Sequence, residues 1–198
     1  MTKHRSPDER SEQILNAART CFLEEGYFAT KMDVIARESG LSKGGIYFHF
    51  ESKRDIFLAL VQEEYQNSMS FIDNVDDQAK DITGMLFELA EHFMQLFAST
   101  DRPRFMVIMG EMALRDAEVA KVLRQLQLNY FNRISDLIAR GVETGQVREC
   151  DSYGVAIVLK SLLDGVQANF ALGIEMDLEA TIGAAMDVLI NGLIRIDE

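Results

Sequence analysis

Apolar positions recur at three- and four-residue intervals along most of the chain, and the segments they mark predict an all-α fold of about nine helices. Ser6-Pro7-Asp8-Glu9 places a hydroxyl cap, a proline at the first helical position and acids in the first turn, so a helix is predicted to about Glu25. Ile14, Leu15, Ala18, Cys21 and Phe22 form its inward face, and Gly26 closes it. Thr30 with Asp33 three residues on repeats the capping logic and makes Thr30 the predicted cap of a second helix. The stretch from Met32 to Phe50 then reads as two short helices joined by a tight turn at Gly40, Leu41 and Ser42. Ile35 and Ala36 face inward on the first, Gly40 can take the left-handed conformation that ends it, and Ile46 and Phe50 anchor the second. That is a helix-turn-helix pattern.

Ser52 caps a fourth helix from Lys53 to about Ile72, with Ile56, Phe57, Leu60 and Val61 inward, and Asn74-Val75-Asp76-Asp77 is predicted as a polar break. Residues 1–55 are assigned to the first domain and 56–198 to a second, with the fourth helix shared between them. Further helices are predicted over Ile82–Ser99, from Arg102-Pro103 to Arg115, and over Glu118–Gly141, with Gly141 and Gly145 bracketing the end of the last. The two remaining segments, from Asp151 or Ser152 onward and from Leu178 to Ile196, are apolar nearly all round. A helix of that kind is buried on more than one side. Two such helices in a chain of this size predict that each turns one face to its own core and the other to a second copy, giving a homodimer through a four-helix interface near 152–172 and 178–196.

Composition narrows the class. The 198 residues are 47% hydrophobic with two prolines and no tryptophan, which suits a helical core. Neither a signal peptide nor an uninterrupted apolar run of membrane-spanning length is seen, so a cytoplasmic protein without membrane association is expected. Cys21 and Cys150 lack metal-ligand spacing and are read as buried or incidental. The net charge of -12 would argue against DNA, but residues 1–60 hold nine Lys/Arg against nine Asp/Glu, and residues 61–198 eleven against twenty-three. Charges beyond a Debye length of about 8 Å are largely screened, so a neutral head with local cations can approach DNA beside an acidic body.

The second helix of the pair carries the candidate chemistry. Ser42 is a good cap, and Lys43, Gly44 and Gly45 open the helix with a cation and no bulk, as close approach to a nucleic-acid backbone requires. Tyr47, His49, Lys53 and Arg54 are donors of the kind phosphate contacts use. A packed helical hairpin would use Tyr47 and Phe48 as half-buried core instead. Against it, each glycine in a helix costs about 1 kcal/mol, so two in one turn need a reason.

The run from Gly26 to Leu58 resembles the DNA-binding domain of the tetracycline-repressor (TetR/AcrR) family of bacterial transcription regulators, through Gly26-Tyr27, Thr30, Ile35-Ala36, Gly40-Leu41-Ser42-Lys43-Gly44, Ile46-Tyr47, His49-Phe50 and Ser52-Lys53. The resemblance implies a regulator, most often a repressor, that binds double-stranded DNA as a dimer. It adds Thr30 and Lys31 to the DNA-binding set, which becomes Thr30, Lys31, Ser42, Lys43, Gly44, Gly45, Tyr47, Phe48, His49 and Lys53. Paired reading heads about 34 to 36 Å apart would address a palindromic operator. The resemblance also implies that the second domain binds an effector that releases DNA.

Phe93, Phe97, Met106, Met109, Met112 and Phe131 concentrate adaptable apolar side chains suited to a small, largely apolar effector. Plain core packing would use the same residues, and the resemblance favours a pocket without identifying its lining. Asn129, Gln167 and Asn169 are polar groups on apolar helices that could orient a ligand or lie at the surface or dimer interface. An enzyme has little support: the three histidines are far apart in sequence, there is no phosphate loop and no HExxH motif, and no cofactor or metal is implied. A dimeric helical adaptor, or a DNA-binding regulator without an effector, is the alternative.

Overall fold

The structure, a computed structural model, describes residues 6–78, 81–97 and 101–194, the side chains of 76–78 and 96–97 excepted. Within these residues the chain forms α1 (Pro7–Glu25), α2 (Met32–Ser39), α3 (Lys43–His49), α4 (Lys53–Gln78), α5 (Ile82–Phe97), α6 (Asp101–Arg115), α7 (Ala117–Glu143), α8 (Ser152–Ala171) and α9 (Leu178–Leu193). The expected ends of the fifth and ninth helices at Ser99 and Ile196 fall outside the described residues. Two compact units result, one of Met1–Gln66 with Val107–Leu123 and the other of Asn67–Met106 with Arg124–Glu198.

In the first unit the local signals act as written in the sequence. The Ser6 hydroxyl accepts from Glu9 N while Glu9 reaches back to Ser6 N, a complete capping box. Gly40 adopts φ 67°, ψ 21°, the left-handed conformation that stops α2, and its N–H and that of Leu41 bond back to carbonyls of α2. The core is Ile14, Ala18, Phe22, Ile35, Ile46, Ile56, Phe57 and Leu60, all fully buried. Tyr27 locks the turn after α1 by packing 5.3 Å from the Phe22 ring and 5.1 Å from the Phe57 ring.

Thr30 departs from its expected role. The residue at the cap position of α2 is Lys31, which makes no side-chain cap bond. The Thr30 hydroxyl instead donates to Gly26 O at 2.8 Å and Cys21 O at 3.1 Å, satisfying carbonyls at the end of α1 rather than amides at the start of α2.

The polar break expected at Asn74-Val75-Asp76-Asp77 is also absent, because α4 runs on to Gln78. Ile72 and Val75, one turn apart, are both buried against Met85, Ile134, Leu137 and Ile138 of the second unit, and this tertiary burial outweighs the local polar composition. Two clusters fill that unit: one around Ile72, Ile134, Leu137 and Val147, the other around Leu86, Phe93, Ile182 and Met186. Gly141 lies within α7, and a Cβ there would stand 2.7 Å from Val147 Cγ2 and 3.0 Å from Ile82 Cγ1. The missing side chain therefore lets the chain fold back tightly after Gly145, whose φ is 76°.

Candidate nucleic-acid interface

The α2–α3 pair presents its candidate residues unequally. Ser42 caps α3 by accepting from Gly45 N at 3.1 Å, and Ile46 is fully buried beneath it. Above that anchor, Lys31, Lys43 and Gly44 are exposed, as are Tyr47 at 45% and Phe48 at 82%. Phe48 is therefore not core, its ring lying edge-on to that of His49 at 5.3 Å. A Cβ built at Gly44 meets nothing within 4 Å, whereas one at Gly45 would lie 3.3 Å from Ser42 Oγ. Internal packing accounts for the second glycine but not for the first.

The cations are individually positioned. Lys43 Nζ lies 2.7 Å from Asp33 Oδ1, both side chains being well exposed, and the hydrogen bond and then the charge of that carboxylate raise the lysine's pKa. Lys53 is held differently. Its ammonium donates to Tyr27 O at 2.5 Å, Thr30 O at 2.6 Å and Phe28 O at 3.5 Å, and stands 4.3 Å over the Tyr27 ring. Burial lowers its pKa. Lys53 thus ties the start of α4 to the turn between α1 and α2. Thr30, only 1% exposed, is part of the same inward construction.

His49 is half-buried at the end of α3, with Nδ1 3.1 Å from Ser11 Oγ of α1. When the hydroxyl donates, the ring proton resides on Nε2, which keeps a donor on the imidazole. Arg54 Nε lies 2.8 Å from Asp116 Oδ2, and the other oxygen of that carboxylate accepts from Glu118 N and Val119 N at the start of α7. Arg115 stands 5.0 Å over the Phe28 ring. Sequence reasoning missed Asp33, Ser11 and Asp116 as partners of these groups. Asp116 carried a readable signal, an acid directly before a helix, but its pairing with Arg54 depends on segments sixty residues apart. On α1 and the end of α2, Glu9, Glu12 and Glu38 line an open groove, so the unit's anion-repelling side is also defined.

The candidate effector residues are divided between the two units. Phe93 is buried in the cluster with Leu86, Ile182 and Met186, and Phe131 is half-buried with its ring edge toward Tyr153 at 6.1 Å. Met106, also half-buried, belongs to the second unit, whereas Met109 and Met112 are buried residues of the first. The Phe97 side chain lies outside the described set. Of the three polar candidates, Asn129 is exposed and bonded to Gln125 at 3.0 Å, Asn169 is exposed, and Gln167 is buried. Cys21 is buried, and burial followed by the charges of Glu38, Glu25 and Glu24 pushes its thiol pKa up, which makes it unreactive.

Comparison with known proteins gives concordant results. The sequence profile described as "Bacterial regulatory proteins, tetR family" matches residues 14–60. The HTH-type transcriptional activator FasR of Mycolicibacterium smegmatis is 31% identical over 156 residues, which cover 78% of this chain and 71% of that protein. Among solved structures, a transcriptional regulator from Saccharomonospora viridis in complex with choline superposes with a TM-score of 0.82 at 20% identity, covering 96% of this chain and all of that one. FadR from Bacillus subtilis in complex with stearoyl-CoA gives 0.79 at 21% identity, covering 91% of this chain and 98% of that one.

Proposed function

The chain belongs to the tetR family of bacterial regulatory proteins, and from that premise we propose that it is a homodimeric repressor that reads a palindromic operator and is released by a small, largely apolar effector. It is a DNA-binding transcription regulator whose activity responds to a ligand. The observation that carries the finer reading is the bare, exposed start of α3 at Gly44, which nothing inside the fold requires. Lys31, Ser42, Lys43, Gly44, Gly45, Tyr47, Phe48 and His49 form the contacting face; Thr30 and Lys53 shape the turn that carries it.

Dimerisation is supported by the outer side of α8 and α9. Ile157, Val158 and Leu162 on α8, and Val188 on α9, are exposed at 37%, 56%, 47% and 68%, next to the exposed small residues Gly165, Ala168, Gly183 and Ala184. Aliphatic side chains around small residues make a surface that a second copy can approach closely. No helix among the described residues is long and apolar enough to cross a membrane, and the dimer is proposed to act in the cytoplasm. Ligands in solved relatives are as unlike as choline and stearoyl-CoA, so the effector is to be sought from this chain's own side chains.

Selection of bound duplexes from a random pool tests the proposal. Enrichment of a palindrome with half-site centres about one helical turn, 34 to 36 Å, apart is expected. A pool that enriches no palindrome would overturn it.

A further inference from the structure

One face of α8 does not fit a purely apolar domain. Ala156, Lys160, Leu163, Asp164, Gln167 and Phe170 recur at the spacing of a single helical stripe, which is buried at Ala156 and Gln167 and partly covered between them, the Asp164 side chain remaining 40% exposed. Half of it is polar. Lys160 and Asp164 pair with each other, and the Lys160 ammonium stands 5.5 Å over the ring of Tyr130 on α7. Gln167, one turn beyond Asp164, is only 6% exposed, and its Oε1 is a fully buried acceptor with no hydrogen-bond donor among the described residues. A buried amide oxygen left without a donor costs stability and is seldom tolerated without a use.

Other polar groups of the second unit are neutral or already paired. Burial, with Asp164 next in effect, pushes the Tyr130 phenol up to about 12, so it remains a neutral hydroxyl. His92, stacked on Phe71 at 3.5 Å, has its pKa lowered by burial and then by Arg102, so it too stays neutral at ordinary pH. The Arg102 guanidinium, which influences both rings, donates to Ser68 Oγ at 2.9 Å. The neighbouring α8 side chains are apolar: Leu159 packs with the Ile134 cluster, and Leu163, Val166 and Phe170 with the Phe93 cluster.

We propose that Gln167 Oε1 is the polar contact point of the effector site, and that the effector is an amphiphile whose apolar body lies among these side chains and whose hydroxyl or N–H group donates to that oxygen. This rests on the reading of the second unit as the effector domain. A carboxylate end is disfavoured, because an ionised carboxylate has no proton to donate to Gln167 and would lie beside the Asp164 charge.

The test uses the full-length dimer with three probes of one chain length: 1-decanol, methyl decyl ether and sodium decanoate. Calorimetric titration is expected to show decanol binding at least tenfold tighter than the ether or decanoate. Gln167→Met keeps side-chain length but removes the orphaned oxygen. It should raise the melting temperature of the unliganded protein and bind decanol no better than the ether. Gln167→Leu provides a second variant with the same expected loss of preference. Equal binding of the three probes, tightest binding of decanoate, failure of all three to bind, or a retained decanol preference in both variants would each overturn the inference. Operator binding by the unliganded protein, measured in the same preparation, separates these outcomes from failure of the DNA-binding reading itself.

Discussion

Lys43 Nζ sits 2.7 Å from Asp33 Oδ1, so the cation that opens α3 is held by a carboxylate from the first turn of α2. On the proposed reading, phosphate competes with that carboxylate for the lysine. Asp33→Asn should therefore tighten operator binding severalfold at low salt. Lys43→Ala should weaken binding about equally for all sequences and reduce the salt slope by about 1. Fluorescence anisotropy across a salt series checks both. Weaker binding by Asp33→Asn would mean that the carboxylate orients the lysine rather than restrains it.

Lys53 gives a prediction of a different kind. Its ammonium fastens Tyr27 O and Thr30 O, so Lys53→Met should destabilise the protein by about 1–3 kcal/mol through orphaned carbonyls, and lose operator affinity as a consequence. Urea denaturation measures the first effect. A variant of unchanged stability with reduced affinity would instead place the ammonium directly on phosphate.

His92 supplies a pH dependence. Its imidazole binds a proton less readily in the folded state than in the unfolded chain, because of burial and then Arg102. Its contribution to stability is therefore complete above the ordinary histidine value of about 6.5 and is lost as pH falls from there through the lowered folded value. His92→Phe keeps a ring to stack on Phe71 but cannot titrate. Between pH 7 and 5 the melting temperature of the wild type should fall more steeply than that of the variant; parallel curves would contradict this.

What could be read in advance follows the range of the interactions involved. The ends of α1 and the turn at Gly40 were legible because capping and left-handed glycine act within four residues. The continuation of α4 through Val75 was not, since its burial depends on Ile134 and Leu137, roughly sixty residues later. Thr30 serves the end of α1 rather than the start of α2: its spacing to Asp33 imitates a cap, while the carbonyls it serves, at Cys21 and Gly26, come within reach only once the turn has folded. Tyr47 and Phe48 are exposed, which helical spacing leaves open. For the effector residues the pattern was least informative, because Met and Phe at helical spacing describe a core and a pocket equally. Gln167, Asn169 and Asn129 looked alike in sequence, and only burial separates the first from the other two.

On the proposed reading, the side-chain-free position at Gly44, directly after the cation that opens α3, lets a nucleic-acid backbone approach. Gly44→Ala tests it with two readings on one variant. A methyl group at that position meets no atom of the fold within 4 Å, and alanine is favoured over glycine in a helix by up to about 1 kcal/mol, so stability should be unchanged or slightly higher. Operator affinity should fall at least tenfold. An alanine variant that melts no lower than the wild type and still binds its operator with undiminished affinity would contradict the account.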